Sequence, residues 1–249
     1  MEVHHHHHEP HSHKKWHHYF WEFFMLFLAV TLGFLVENMR EHYVEHQREK
    51  QYMKSFVNDV AADTARLNEL IHLRNDRERM FDSLSYLLDQ GPPYGSTNMI
   101  YYYSIFIPRM INIRFVPNDG TMQQLKNAGG LRLLRNQIVA DSIVHYDVAV
   151  RGLIEVGENE MSLVYDYRNI AHRFFQSRVL DKMMNVNNLP MPPINNPALI
   201  PFTKADLNEF NYKLFGIKAL NRAARREMKK VLLQAENLLA LLKNEYHLK

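Results

Sequence analysis

The sequence predicts an all-α protein: an N-terminal transmembrane helix continuous with a long amphipathic helix, followed by a bundle of long helices. Three observations predict it. Glycine is scarce, 9 of 249 residues, and it concentrates at Gly91, Gly95, Gly129 and Gly130, which leaves long stretches without a breaker. Apolar residues recur on three- and four-residue steps, the spacing that keeps one helix face apolar. No alternating polar–apolar pattern exceeds Asn112 to Val116, the one strand-like stretch, and there is no internal repeat.

The first element is the apolar run near the N-terminus. Its uninterrupted part, Phe23 to Val36, is about 14 residues, or roughly 21 Å of helix, which falls short of a hydrocarbon core of about 30 Å. Extended upstream through Trp16, Tyr19, Phe20 and Trp21 it reaches about 21 residues and spans. Those aromatics are the types enriched at the headgroup level. The Leu, Phe and Val residues of the run contribute roughly −3 to −6 kcal/mol to insertion. Glu22 opposes this from about one turn inside the boundary, where a charge costs less than the roughly 3 kcal/mol of mid-membrane, and Lys14, Lys15 or His18 lie one turn back as partners. A cleaved signal peptide is the competing reading. The chain continues Glu37-Asn38-Met39-Arg40-Glu41 without a small-x-small cleavage site, apart from a weak Ala29-x-Thr31. Ala29-x-x-x-Gly33 is a small-x-x-x-small step that lets two anchors approach closely. The anchor is therefore assigned to 16–36, after a His-rich tail at 1–15 and before an α-helical extramembrane domain at 37–249.

From Glu37 to Asp89 no breaker occurs. Met53, Phe56, Val60, Leu67, Leu70, Phe81, Leu84 and Leu88 form a stripe of coiled-coil spacing, which Asp63, Arg74 and Arg77 interrupt. Gly91-Pro92-Pro93 stops the helix. A second helix is expected over Asn98 to Ile107. Asn118-Asp119-Gly120 forms a turn from which Thr121 caps a short helix through Lys126. After Gly129-Gly130, Asn136 caps a long helix from Gln137 to about Met184, with Ile143, Leu153, Ile154, Met161, Val164, Ile170, Phe174 and Leu180 as candidate core. Residues 185–202, with Pro190, Pro192, Pro193, Pro197 and Pro201, form an extended connection. Thr203 with Asp206 resembles a capping box that opens the last helix, which runs toward His247 past a kink near Gly216.

Phe27-Leu-Ala-Val-Thr-Leu-Gly-Phe34, Glu37-Asn38, Arg40-Glu41, Arg48-Glu49-Lys50 and Leu125-Lys-Asn-Ala-Gly-Gly-Leu-Arg-Leu-Leu-Arg-Asn136 together resemble a family of single-span membrane proteins of Bacteroidota with no established activity. The resemblance covers about half the chain. It implies an uncleaved anchor and a bacterial envelope setting, and it transfers no catalytic residue.

Composition narrows the chemistry. With no cysteine, disulfides, thiolate metal sites and cysteine nucleophiles are excluded, and a formal charge of +3 does not point to a polyanion partner. His4, His5, His6, His7, His8, His11 and His13 crowd the tail and would bind Zn, Ni or Cu adventitiously. Five consecutive histidines resemble an affinity tag, while the continuation His11-Ser12-His13 argues for a natural tract. His42, Glu45 and His46 match an H-x-x-E-H pattern, with a solvated juxtamembrane face as the plainer explanation. Lys218, Arg222, Arg225, Arg226, Lys229 and Lys230 form a basic run read as a solvated helix face. Lys126, Gly129, Gly130, Arg132 and Arg135 form either a tight helix–helix corner or an anion-binding turn.

The expectation is a membrane-anchored scaffold or subunit of an envelope complex, not an enzyme, acting through protein–protein contacts. Its partners are the bilayer and a homo-oligomer or other membrane subunits, with no resident cofactor and no nucleic acid. The alternative is a sensory, ligand-binding helical module with a partner output protein. A metal-dependent enzyme built on His42, Glu45 and His46 comes third. Lys14 and Lys15 ahead of the anchor suggest the N-terminus inside and the domain in the periplasm, while Arg40, Arg48, Lys50 and Lys54 behind it argue the other way.

Overall fold

The computed structural model describes residues 16–90, 97–127 and 129–248, with Ile111 and Asn112 by backbone alone. The histidines of the tail and the Gly91-Pro92-Pro93 stop lie outside the described residues. Two compact units are present, one up to Lys50 and one from Gln51 onward. Among the described residues the protein is all-α, with no strand.

Helix α1, Trp16–Asp89, contributes to both units. In the first unit its surface carries exposed aromatic and aliphatic side chains. In the second unit it is joined by α2 (Thr97–Arg109), α3 (Gly120–Asn127), α4 (Gln137–Ala171), α5 (Ser177–Lys182) and α6 (Lys204–Tyr246). Short 3₁₀ turns at Met110–Ile113 and Gly130–Leu133 follow α2 and α3.

Side-chain bonds fix the directions within this unit. Asp59 accepts from the Thr121 N–H, Asp63 accepts from Asn118, and Arg74 donates to the Ile113 carbonyl, so the α2–α3 arm descends as α1 ascends. Tyr146 donates to Asp63, and Arg74 donates to Glu160, so α4 ascends again. Asn221 meets Arg74 and Lys218 meets Asp82, so α6 descends. The result is an up–down–up–down bundle whose second arm is broken into short helices.

Three seams close the core, each on alternating three- and four-residue steps. On α1 every seam position from Met53 to Leu88 is buried, including Asp63, Arg74 and Arg77. The charges therefore do not interrupt the stripe; they occupy it. Helix α4 buries Val139, Ile143, Tyr146, Val150, Leu153, Gly157, Glu160, Val164 and Tyr167 in the same rhythm. Helix α6 does so from Phe210 to Leu242, with Asn221 the one polar member. Two apolar cores result, one around Phe56, Leu67, Ile143 and Leu238, the other around Phe81, Tyr167, Phe174 and Phe210.

The ends of the helices follow local chemistry. The Asn136 side chain accepts from the Ile138 and Val139 N–H groups and caps α4. Thr203 and Asp206 form the reciprocal capping box of α6, which holds the Asp206 carboxyl below its ordinary range through the bonds from Thr203. Two expectations are corrected. Thr121 is not a cap: α3 already begins at Gly120, and the Thr121 N–H is taken by the Asp59 carboxylate at 3.1 Å. Helix α4 ends at Ala171, not near Met184, because Tyr101 reaches in, its hydroxyl accepting from the Gln176 N–H and donating to the Ala198 carbonyl. The all-α expectation holds at Asn112 to Val116, the most strand-like stretch of the sequence: Met110–Ile113 is a 3₁₀ turn, and the extended residues after it belong to no strand among the described residues. Gly216 lies inside α6, which is helical through it.

Candidate functional site

The apolar segment of α1 is exposed on all sides. Trp16, Tyr19, Phe20, Trp21, Phe23, Phe24, Met25, Leu26, Phe27, Val30, Leu32, Phe34, Leu35 and Val36 all present themselves to the surroundings. A helix apolar all round is either the core of a large protein or a membrane span. No part of this window is buried within the molecule, and it is long and apolar enough to cross a membrane. Phe20 stacks on Phe24 and Phe23 on Phe27, which groups the rings in successive turns. Glu22 has the partner expected one turn back: His18 Nε2 lies 3.0 Å from its carboxylate. Ala29 and Gly33 are exposed, and a Cβ at Gly33 would meet nothing within 4 Å.

Just beyond, Arg40 pairs with Glu37 at 2.9 Å, which holds the Glu37 carboxyl below its ordinary range. His42 Nδ1 lies 3.8 Å from Glu45, and His46 Nδ1 lies 3.3 Å from Glu49. The three residues of the H-x-x-E-H pattern thus sit on a solvated helix face, each histidine turned to a glutamate three residues on. Among the described residues no three His, Asp or Glu side chains gather closely enough to hold a metal ion.

The Gly-Gly segment is a tight corner. Gly129 adopts φ +65°, a left-handed conformation that glycine reaches without strain. A Cβ on Gly130 would stand 3.0 Å from Leu125 Cδ2 and 3.1 Å from its Cα. Lys126 is committed to Asp147 at 2.7 Å, while Arg132 and Arg135 are exposed. With its nearest cation already paired, the corner fits a packing role better than an anion turn.

The basic run on α6 is not simply solvated. Arg222 and Arg225 both reach Glu78 of α1 at 2.5 Å, and Lys218 pairs with Asp82. These are half-exposed pairs, each contributing on the order of 0–1 kcal/mol, and they align α6 against α1.

Between the two apolar cores lies a buried charged layer. Arg74 donates to Glu160 at 2.8 Å and to the Asn221 side chain at 3.1 Å, and Asn221 returns a bond to the Arg74 carbonyl. Arg77 donates to the other oxygen of Glu160 and lies over the Phe81 ring, 5.5 Å from its centre. Burial opposes the Glu160 charge, but the two guanidiniums outweigh it and hold the carboxyl below its ordinary range. Burial likewise pushes Arg77 down, only partly offset by Glu160. Two arginines face one carboxylate, and the Nε and Nη2 of Arg77 have no partner among the described residues. Spacing alone signals this layer: Asp63, Arg74 and Arg77 fall on the same steps as their apolar neighbours.

A cavity of about 380 Å³ opens where α2, α4 and α5 meet, lined by Ser104, Pro108, Tyr167, Phe175 and Leu180 among others. Pro108 in its wall has no N–H to give the Ser104 carbonyl four residues earlier. The Tyr167 hydroxyl supplies that bond instead, at 3.0 Å from α4, and burial pushes its own pKa up.

Comparison with family models, curated proteins and solved structures returns no match.

Proposed function

We propose that the chain is a single-span protein of a bacterial inner membrane whose helical domain serves as a scaffold or subunit of an envelope complex. The carrying observation is the ring of exposed large apolar side chains from Trp16 to Val36, in a molecule that elsewhere buries its apolar seams to within a few per cent. The resemblance to single-span membrane proteins of Bacteroidota supports the same setting. The open Ala29–Gly33 step supports close approach of a second anchor, hence a homo-oligomer or a pairing with another membrane subunit.

The domain is assigned to the periplasm on the basic pair ahead of the anchor. A reporter active only in the periplasm, fused to the C-terminus, should be active; a silent fusion that is active in its cytoplasmic counterpart reverses the orientation. Native mass spectrometry from mild detergent should show co-purifying subunits. A clean monomer without protein partners contradicts the scaffold reading. The cavity between α2, α4 and α5 favours the second reading, a ligand-binding module.

A further inference from the structure

We propose that this cavity binds a small amphipathic anion: one negatively charged head on an apolar body. Its volume, about 380 Å³, corresponds to roughly a dozen water-sized shares and falls at the small end of ligand pockets. One wall is apolar, built from Ile105, Pro108, Ala171, Phe175 and Leu180. The polar lining is one-sided: Arg109, Arg168 and His172 contribute donors, and no carboxylate lines the cavity.

The three basic groups differ from their neighbours. Arg173, one residue along, is engaged by Glu209 at 3.0 Å, and Lys213 by Asp166 at 3.2 Å. Arg109, Arg168 and His172 pair with no acid among the described residues. Arg109 donates to the Asn188 carbonyl and Arg168 to the Pro108 carbonyl, one N–H each. A guanidinium carries five N–H donors in a planar fork, so most remain for a carboxylate or phosphate oxygen. Both arginines also close the last turn of a helix, where the dipole favours a cation. That explains their placement but not the cavity beside them.

The fourth observation is Ser104. It is fully buried, it lines the cavity, and its hydroxyl has no hydrogen-bond partner among the described residues. A buried hydroxyl without a partner is costly, and an anionic head in the cavity would accept from it. The ligand class is therefore a carboxylate or phosphate monoanion with a compact apolar body, drawn either from solution or from a lipid headgroup.

Equilibrium dialysis of the full chain in phosphatidylcholine nanodiscs, with protein-free discs as blank, tests this with 4-phenylbutyrate and its neutral amide. The carboxylate should bind at least tenfold tighter than the amide. Arg109→Gln with Arg168→Gln should erase that preference. Ile105→Trp, which fills the cavity and leaves every charge in place, should weaken both probes at least tenfold. Circular dichroism confirms folding of each variant. Repeating the titration in discs containing phosphatidylglycerol separates the sources: competition by the lipid assigns the head to a membrane phosphate, and an unchanged affinity assigns it to a free anion. Equal binding of carboxylate and amide, or no binding of either, overturns the proposal.

Discussion

Residues 16–36 and residues 53–88 belong to one helical run, and both are rich in large apolar side chains, yet they use them in opposite ways. The second stretch concentrates most of them on one seam, buried together with Asp63, Arg74 and Arg77, and leaves its other charges on the outer faces. The first distributes Phe, Leu, Trp and Val around the whole circumference and buries none. A seam needs a partner helix on one side. A ring needs an apolar medium on every side. Composition and placement agree: residues 53–88 carry charges on nearly every turn, whereas residues 16–36 form a window apolar enough to cross a membrane.

Within the bundle a second contrast refines the first. Asp63 and Glu160 are both buried carboxylates on the seams. Asp63 accepts from the Asn118 N–H and side chain and from Tyr146, and burial, followed by the Asp63 charge, raises the Tyr146 phenol far above its ordinary value. Glu160 instead answers two guanidiniums. One is a neutral-donor site that holds the α2–α3 arm. The other is an ionic layer that sets the register of α1, α4 and α6.

The largest expected effect comes from breaking that layer. Glu160→Ala leaves two buried guanidiniums without their carboxylate and should destabilise the bundle by about 3–5 kcal/mol in urea unfolding, whereas Arg74→Met, Arg77→Leu and Glu160→Leu together should be neutral or stabilising. The pH dependence has a definite sign. The Glu160 carboxyl is depressed in the folded state, so its contribution is complete above its unfolded value, about 4.3, and is lost as pH falls through the folded value. Acid unfolding of Glu160→Gln should lack that part of the slope.

Next comes the contrast within α1. Leu70→Ala removes a fully buried seam residue and should cost about 2–5 kcal/mol. Leu26→Ala, in the exposed ring, should leave the urea midpoint of the bundle unchanged. Leu26→Arg should instead reduce membrane insertion, an effect of about 3 kcal/mol, again without moving that midpoint. A bundle midpoint that shifts with Leu26 would dissolve the comparison.

The corner gives a smaller effect. Gly130→Ala pushes a methyl against Leu125 and should cost about 1–3 kcal/mol, while Gly129→Ala, at positive φ, should cost about 1–2 kcal/mol. Smallest is Asn136→Ala, which removes the α4 cap for about 1 kcal/mol. Thermal melts rank all three.

Much of this arrangement was legible in the sequence because helices announce themselves locally. The apolar seam of α1, the Asn136 cap and the Thr203–Asp206 box each follow from residues within a turn of one another. A helix long and apolar enough to cross a membrane is legible from length and residue type alone. What stayed hidden was tertiary. Asp63, Arg74 and Arg77 read as breaks because their partners, Tyr146, Glu160 and Asn221, lie about 80 to 150 residues away. The end of α4 at Ala171 depends on Tyr101, and the capping of α3 depends on Asp59. The Ser104 carbonyl, which Pro108 in its own helix leaves without an N–H, is answered by a tyrosine in another helix. No local pattern carries such pairings.

The central claim is that the exposed apolar ring of α1 is covered by lipid. It is tested most directly by washing membranes that contain the full-length chain with alkaline carbonate and measuring where the protein goes. Retention of the intact chain in the membrane pellet is the predicted result. Release of the intact chain into the supernatant would contradict the account, because the ring would then need a protein partner rather than a bilayer to cover it.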